Sequence, residues 1–466
     1  MITLNEKNAH LALYQQIYLQ IKKEIQEGRL KAGEKLFSKR KLAESLNVSV
    51  NTVEGAYSQL LSEGFIEARA KSGYYVCQID AFAFSNKEIR KNDKGEETED
   101  KCNIKIDFAT DGIDSENFPY NTWRKLMKNC FNEYNPKVLK SAPPEGDWEL
   151  REAIARHIYS SRGVNCSADS IIIGAGMDNL FIIISGILGT HFKITMEDPA
   201  YYEAYSFLKS LGHKIDFISV DEKGIRTEML SDDTNRVVYI TPSHQFPLGI
   251  TMPVGRRIKL LKWAYAKENR YIIEDDYDSE FRYNSKPIPS VQNIDAKGRV
   301  IYLGTFSKTV APSVRISYMV LPDELLKIYN EKYTKFSSAV SVLDQHILTS
   351  FINEGHYERH LNRMRKLYGE KRTVLLNELK RLEGYITING ENAGHHLALK
   401  LLTGMTEEEM VLTAEKFGVK VYPISKYFIN GVPEKYSSTV LMGYAELSKN
   451  EIKTGIELLK RAWELV

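Results

Sequence analysis

The chain has 466 residues, and its 63 lysines and arginines nearly balance 61 aspartates and glutamates, which leaves a formal net charge of +2. The length exceeds what one hydrophobic core usually holds and predicts two or more domains, while the net charge favours no class of partner, because any basic surface would have to be local. No apolar run approaches membrane-spanning length and the start of the chain has no signal-peptide pattern, so we expect a cytoplasmic protein without a membrane partner. The four scattered cysteines lack the paired spacing of a zinc site, and no metal site is predicted.

Residues 1–77 have the pattern of a small helical unit followed by a hairpin. Apolar residues at helical spacing run through LYQQIYLQIKKEIQ. Ser38 is placed to cap a second helix, and Ser49 or Asn51 to cap a third. The stretch GFIEARAKSGYYV alternates apolar and polar residues around a turn at 71–73, which predicts a β-hairpin. Together these elements predict a winged helix-turn-helix, a DNA-binding arrangement.

Cations in this unit cluster at the start of the second helix and on the wing. In a winged helix-turn-helix the third helix, from about residue 51 to 62, enters the major groove. The clustered cations suit phosphate contacts, which give affinity and salt dependence rather than sequence choice. A solvated charged face is the alternative, and the order of the elements favours DNA binding over it.

The stretch AGEKLFSKRKLAESLNVSVNTVEGAYSQLLSEGFIEARAKSGYYV resembles the winged domain of GntR-type regulators. Two positions depart from the pattern of that family, because Phe37 replaces a proline and Val50 replaces an arginine that faces DNA. The second departure removes one expected contact to DNA. The predicted DNA contacts, which combine the matching positions with the clustered cations, are Ser38, Lys39, Arg40, Asn51, Thr52, Lys71 and Gly73.

Residues 78–104 shift sharply in composition, and the stretch NKEIRKNDKGEETED within them is almost entirely polar with charges of both signs, which predicts a flexible linker. Residues 105–466 then alternate short apolar runs with helical stretches. That alternation predicts a mainly parallel sheet covered by helices. The last part, from about residue 340 to 466, is helix-rich with a few strands and predicts a smaller α+β lobe.

Ligands of open α/β sheets bind beyond the carboxyl ends of the strands, so the residues that follow each apolar run matter most. Gly176 and Met177 follow one run, where free N–H groups at a helix start suit a phosphate, although a glycine turn there is also ordinary. Tyr201 follows another run and could equally be a packed tyrosine. Residues 274–278 include four carboxylates, which need a cation, a metal ion or a protonated partner. Lys308 would pair with one of those acids or, when uncharged, form a Schiff base.

Taken together, these residues are the parts of a pyridoxal phosphate site: a Schiff-base lysine, a carboxylate, a stacking aromatic and a phosphate-binding turn. They occur in the order found in fold-type I aminotransferases. The chain resembles that family throughout residues 105–466, most strongly at IIEDDYDSEFRY and LGTFSKTVAPSVRISYMV. The resemblance implies a large α/β domain of this fold with a smaller α+β C-terminal lobe, and pyridoxal 5'-phosphate as the cofactor.

The resemblance also implies a role for each cofactor-binding residue. Lys308 forms the Schiff base and Asp275 partners the pyridine nitrogen, while Tyr277 hydrogen-bonds the phenolic oxygen and Tyr201 stacks on the ring. The segment SHQFPLG stands where ordinary aminotransferases have an Asn-Pro-x-Gly turn, and its second and third residues are expected to contribute there. The remaining predicted contacts, five to the phosphate and two from that segment, are Gly176, Met177, Thr305, Ser307, Arg315, His244 and Gln245.

A winged domain joined by a linker to an aminotransferase-like domain resembles the MocR/GabR group of GntR-type transcriptional regulators. The resemblance implies a regulator that binds operator DNA, responds to a small-molecule effector and forms a head-to-tail homodimer. The effector would be pyridoxal phosphate itself, or an amine or amino acid that reacts with it. The regulated genes would then belong to vitamin B6 synthesis or to amino-acid metabolism.

Two substitutions bear on the alternative, an active aminotransferase with an accessory DNA-binding domain. Aminotransferases hold the substrate carboxylate with an arginine, usually as a bidentate pair. Lys426 stands in place of that arginine, and Glu203 replaces a second arginine that the GABA-sensing regulator carries. Because lysine cannot form the bidentate pair and a glutamate repels a carboxylate, we expect a sensor rather than an enzyme, with Lys426 and Glu203 facing the effector.

Overall fold

The computed structural model describes residues 11–78, 104–132, 136–283, 288–391 and 394–465. The chain divides into two compact units, Met1–Glu99 and Asp100–Val466. The boundary between them falls in the predicted linker, most of which lies outside the described residues. Within the described ranges, no helix combines the length and the apolar character needed to cross a bilayer.

The first unit is a winged helix-turn-helix, which confirms the predicted fold. Its elements are α1 (Leu13–Gln26), α2 (Lys39–Leu46), α3 (Val50–Ser62), β1 (Ile66–Arg69) and β2 (Gly73–Val76). The side chain of Ser38 accepts a hydrogen bond from the backbone N–H of Lys41 at the start of α2, and Ser49 does the same for Thr52 in α3. These caps satisfy backbone donors that have no partner inside the helix.

The core of the first unit lies between α1 and α3. Ile17 and Ile21 of α1, together with Val53, Ala56 and Leu60 of α3, are completely buried. Their spacing of three and four residues puts each set on one face of its helix, so packing the two faces together removes both from water. The wing strands β1 and β2 pair antiparallel from Ile66–Val76 to Arg69–Gly73.

The second unit has an α/β body with a smaller lobe. Its strands are β3 (Ile106–Asp107), β4 (Ile171–Gly174), β5 (Lys193–Asp198), β6 (Ile215–Asp221), β7 (Gly224–Ile225), β8 (Arg236–Ile240), β9 (Arg270–Asp276), β10 (Val300–Thr305), β11 (Ser317–Val320), β12 (Ile386–Asn389), β13 (His396–Leu401), β14 (Val419–Lys420), β15 (Tyr422–Pro423) and β16 (Thr439–Gly443). Its helices are α4 (Tyr120–Cys130), α5 (Trp148–Arg162), α6 (Met177–Leu188), α7 (Tyr202–Ser210), α8 (Val254–Tyr265), α9 (Asp323–Tyr333), α10 (Val342–Asn353), α11 (His356–Lys380), α12 (Glu407–Lys416) and α13 (Lys449–Ala462).

Eight strands form the main sheet in the order β4-β11-β10-β9-β8-β5-β6-β7. The five neighbours from β10 to β6 pair parallel, while β11, β4 and β7 join antiparallel. Helices cover both faces, as the alternation along β4 shows: Ile171 and Ile173 pack into one apolar cluster and Ile172 into another. The carboxyl ends of β4, β5, β8, β9 and β10 therefore share one edge of the sheet.

The smaller lobe contains a four-stranded antiparallel sheet in the order β12-β13-β16-β15. A separate parallel pair joins β3, at the start of the second unit, to β14 in this lobe. The backbone N–H of Lys105 donates to Gly418 O at 2.8 Å, and that of Phe108 donates to Lys420 O at 3.0 Å. The first described residues of the second unit are thus bonded to the C-terminal lobe rather than to the main sheet.

Candidate functional site

A cavity of about 380 Å³ opens at the carboxyl edge of the main sheet. It brings together every predicted cofactor residue except His244 and Gln245. The residues that line it are Thr110, Asp111, Gly176, Met177, Asp178, Tyr201, Glu203, Thr241, Phe246, Asp275, Tyr277, Thr305, Ser307, Lys308, Pro312, Arg315, Tyr422, Lys426 and Tyr427. The lining residues that follow β4, β5, β8, β9 and β10 meet here because the carboxyl ends of these strands share one edge of the sheet.

Strand β9 separates the four neighbouring carboxylates instead of clustering them, because successive side chains of a strand point to opposite faces. Asp275 faces the cavity. Glu274 points the other way and accepts hydrogen bonds from the backbone N–H groups of Val291 at 2.7 Å and Gln292 at 2.9 Å. Each acid therefore has its own surroundings, and no metal ion is needed to hold the group together.

Asp276 forms a buried ion pair with Arg162. The Arg162 guanidinium donates to its carboxylate from Nε at 2.7 Å, and Tyr302 donates its hydroxyl at 2.6 Å. Burial alone would raise the pKa of Asp276, but the Arg162 charge and these hydrogen bonds hold it below its usual range. Asp276 is thus an ionised structural residue on the face of β9 opposite to Asp275.

Asp275 has an unfilled hydrogen-bonding position. Tyr239 donates its hydroxyl to Oδ2, whereas the buried Oδ1 has no partner within the described ranges. Burial raises the pKa of Asp275 to about 7. A donor that also carries positive charge, such as a protonated pyridine nitrogen, would satisfy Oδ1 and keep the carboxylate ionised. This carboxyl group fits the ring nitrogen of pyridoxal phosphate.

The amine of Lys308 lies in the same cavity, just after β10 ends at Thr305. No hydrogen bond or ion pair holds its Nζ in the part of the chain that the structure describes. Burial lowers the pKa of Lys308, although the charges of Asp111, Asp278 and Glu203 oppose the effect. A lowered pKa increases the uncharged fraction, which is the form of a lysine that attacks a carbonyl carbon.

A cradle for an anion lies at the start of α6. Gly176 precedes the helix with φ of +85°, and no side chain caps the free N–H groups of the first turn. A Cβ at this position would lie 2.7 Å from Arg315 Nη2, so only glycine allows the guanidinium to approach. Ser307 and Thr305 line the cavity beside it, and Arg315 already pairs with Asp178 at 3.0 Å. Helix N–H groups, hydroxyls and a guanidinium suit a phosphate.

Two tyrosines, Tyr201 and Tyr277, line the same cavity as Lys308 and this cradle. Tyr201 precedes α7, and its ring packs edge-on against Phe246 with centroids 5.4 Å apart. The hydroxyl of Tyr277 donates to His244 O at 2.9 Å and lies 3.0 Å from His244 Nδ1. Tyr277 is therefore fixed in position by the loop behind the cavity.

His244 and Gln245 lie in that loop and are absent from the cavity lining. The side-chain amide of Gln245 donates to Pro199 O at 2.9 Å and to Phe246 O at 2.7 Å, so it holds the loop together. His244 is buried, with Nδ1 2.8 Å from Asp278 Oδ2. His244 therefore lies behind Tyr277 and supports it, whereas Gln245 supports the loop itself.

The two residues predicted to face the effector form an ion pair with each other. Lys426 Nζ lies 3.1 Å from Glu203 Oε1, and both side chains line the cavity. Sequence reasoning missed Asp111, Tyr422 and Tyr427 in the same part of the lining. The two tyrosines flank Lys426 in the stretch YPISKYF, which was the available signal, whereas Asp111 follows a strand of only two residues.

The predicted DNA contacts lie on α2, α3 and the wing. Arg40 is exposed and has no ion-pair partner among the described residues, and Asn51 and Lys71 are also exposed. Lys39 pairs with Glu54 at 2.5 Å, which ties the start of α2 to α3. The hydroxyl oxygen of Ser38 accepts the hydrogen bond that caps α2. The hydroxyl of Thr52 lies 2.8 Å from the hydroxyl of Ser49. Gly73 begins β2 with φ of +115°.

Comparison with protein families matches both units. Residues 13–76 match the model of the bacterial regulatory proteins of the gntR family, and residues 104–457 match that of aminotransferase class I and II. Among solved structures, the multiple substrate aminotransferase of Thermococcus profundus is similar with a TM-score of 0.69 at 25% identity, covering 78% of this chain and 93% of that one.

Three relatives match along most of their length. The HTH-type transcriptional regulator YdeL of Bacillus subtilis is 41% identical over 98% of this chain and 97% of its own. The probable rhizopine catabolism regulatory protein MocR of Rhizobium meliloti is 32% identical, with 98% and 95% covered. The pyridoxine biosynthesis transcriptional regulator PdxR of Corynebacterium glutamicum is 29% identical, with 89% and 88% covered.

Proposed function

The chain belongs to the MocR/GabR group of GntR-type transcriptional regulators, and we propose that its second unit binds pyridoxal 5'-phosphate as a sensor rather than as a catalyst. The observation that carries the proposal is the buried Asp275 Oδ1, which has no partner in the described residues and shares a cavity with the unpaired amine of Lys308. Pyridoxal phosphate supplies what both groups lack: a pyridine nitrogen for the carboxylate and an aldehyde for the amine.

Each side chain of the cavity has a distinct task in this proposal. Gly176 and Arg315 hold the phosphate, and Asp275 keeps the ring nitrogen protonated. Tyr201 and Tyr277 position the ring, the latter from the loop that His244 fixes. Lys308 provides the amine for the covalent link, and its lowered pKa favours the uncharged form that the link requires.

The Lys426–Glu203 ion pair supports sensing over turnover. A transaminating enzyme needs a cation that is free to clamp the substrate carboxylate. Here the ammonium at that end of the cavity is already paired with a carboxylate, and lysine offers no bidentate fork. An amino acid would be held loosely, and loose positioning is costly for catalysis.

The first unit supplies the output by binding operator DNA in the cytoplasm. We place α3 in the major groove, with Arg40 and Lys71 on phosphates. The second unit is proposed to pair head to tail with that of another copy. The signal is pyridoxal phosphate itself or an amine or amino acid that reacts with it. The regulated genes belong to pyridoxine synthesis, which the name of the relative PdxR supports, or to amino-acid metabolism.

A paired measurement tests the proposal. The visible absorbance of bound pyridoxal phosphate and the affinity for the protein's own upstream DNA are followed for wild type, Lys308→Ala and the control Lys327→Ala, which changes an exposed lysine on α9. We expect Lys308→Ala to lose both the absorbance band and the response of DNA binding to cofactor, and the control to keep both. A Lys308→Ala protein whose DNA binding still responds to cofactor would refute Schiff-base sensing.

Turnover distinguishes the alternative function, an active aminotransferase with an accessory DNA-binding unit. The protein is incubated with amino acids and a keto-acid acceptor, both in large excess over protein. The amount of new keto acid formed per equivalent of protein is then measured. We expect no more than one equivalent. Sustained product formation at ordinary enzymatic rates, on the order of 1 per second or more, would favour the enzyme.

A further inference from the structure

One end of the cavity is not accounted for by the residues that hold the cofactor. It lies around Lys426, and we call it the acidic end. Its lining consists of Thr110, Asp111, Glu203, Tyr422, Lys426 and Tyr427. This end is continuous with the part of the cavity that contains Lys308 and the buried, unpartnered Asp275 Oδ1. Asp111, Glu203 and Lys426 are exposed to solvent at the mouth of the cavity, but they line the same cavity as Lys308.

The charges of the acidic end do not cancel. Glu203 and Lys426 neutralise each other at 3.1 Å. Asp111 has no hydrogen bond or ion pair within the described ranges, so its charge is left over. Glu446 adds a further carboxylate beside it, because its side chain packs against Gly112 and its pKa is raised by burial and by the charge of Asp111. The net charge facing a ligand at this end is negative.

Aromatic rings form the rest of the wall and suit a cation. Lys426 Nζ lies 5.6 Å from the ring centroid of Tyr427, so that ring already faces an ammonium. Tyr422 donates its hydroxyl to Asp107 at 2.8 Å, which fixes the ring at the edge of the cavity. Carboxylates combined with aromatic faces are the usual surroundings of a bound organic ammonium.

We infer that the effector is a compound with two amines and no carboxylate, held with one amine towards Lys308 and the other as an ammonium between Asp111 and the tyrosine rings. This inference deepens the proposed function and rests on it. A carboxylate in the second position would meet the unpaired Asp111 and would have to take Lys426 away from Glu203. An uncharged group at the second position of the ligand would leave the Asp111 carboxylate without an ion-pair partner.

Three compounds with the same four-carbon chain test the inference. The full-length protein carrying pyridoxal phosphate is titrated with 1,4-diaminobutane, 1-aminobutane and 4-aminobutanoate, which differ only in the terminal group. Calorimetry gives the dissociation constants, and the visible absorbance of the cofactor confirms where binding occurs. We expect the diamine to bind about tenfold tighter than the monoamine, as one cation–π contact and one partly exposed ion pair would give, and the amino acid to bind most weakly. The series is repeated with chains of three to six carbons, so that a ligand chain too short or too long for the cavity is not mistaken for the wrong terminal group.

Two variants assign the preference to the acidic end. Asp111→Asn should bring the affinity for the diamine to within about threefold of that for the monoamine, while Glu222→Gln, which removes an exposed carboxylate elsewhere, should leave the preference unchanged. An amino acid that binds as tightly as the diamine, and loses affinity in Lys426→Gln, would overturn the inference. In that case a preserved response of DNA binding to cofactor would leave the proposed function standing. Absence of any cofactor spectrum or response would overturn both.

Discussion

Replacing Asp275 with asparagine should stabilise the cofactor-free protein at alkaline pH while weakening cofactor binding. The folded-state pKa of this carboxyl group is raised to about 7, against an ordinary value of 3.8. Above pH 7 the folded protein therefore holds an ionised, buried group that the unfolded chain would ionise more easily. The difference of about three pKa units corresponds to a cost of about 4 kcal/mol at pH 8.

The dependence on pH follows from the sign of the shift. Because the folded pKa lies above the unfolded one, the cost grows as pH rises from about 4 to about 7 and is fully present beyond that. At pH 5 it amounts to less than about 2 kcal/mol. Asp275→Asn should thus raise the unfolding midpoint of the second unit by several degrees at pH 8 and by clearly less at pH 5.

Differential scanning calorimetry of the cofactor-free wild type and variant at the two pH values makes the comparison. Asp276→Asn is the matched control, since the neighbouring acid has a lowered pKa and pairs with the buried Arg162. This replacement leaves the buried Arg162 guanidinium without its carboxylate partner, which typically costs about 3–5 kcal/mol, so the control should be destabilised rather than stabilised. If Asp275→Asn destabilised the cofactor-free protein equally at both pH values, the assigned environment of Asp275 would be wrong.

Three further predictions concern the cofactor cradle and the DNA surface. Gly176→Ala should weaken pyridoxal phosphate binding by about tenfold or more in a spectral titration, because its Cβ would meet the Arg315 guanidinium at 2.7 Å and alanine disfavours φ of +85°. Arg40→Ala should lower the slope of log affinity against log salt by about one in fluorescence anisotropy, and an unchanged slope would remove Arg40 from the phosphate contacts. Glu54→Gln should raise DNA affinity by about twofold in the same assay, because it frees Lys39 from a 2.5 Å ion pair that contributes about 0.5 kcal/mol. A lower affinity would contradict the role of Lys39 as a DNA contact.

Features that depend on local sequence were predictable. The caps at Ser38 and Ser49 and the hairpin turn follow from residue types a few positions apart, and the structure has all of them. Asp275 and Lys308 were expected at strand ends because each follows an apolar run, and both line the cavity. In such cases the sequence pattern and the local structure that it predicts lie within one helix, strand or turn.

Features that depend on pairing across the chain were not predictable from the residues. The acids of β9 were grouped as one cluster, but the partner of Asp276 is Arg162, more than a hundred residues earlier, and no local pattern connects them. Lys426 and Glu203 were each noticed as departures from a family pattern, yet their mutual ion pair depends on folding. Asp111 was missed because β3 is too short to show a period.

The pairing of β3 with β14 determines how the start of the second unit is connected to the cavity. The chain enters the second unit and is anchored at once, through hydrogen bonds from residues 105–108, to Gly418 and Lys420 of the C-terminal lobe. Asp111 lies only a few residues further along, and Tyr422 lies just beyond the anchor on the other strand; both line the cavity. The entering chain is thus connected to this part of the cavity wall through the C-terminal lobe and not through the main sheet.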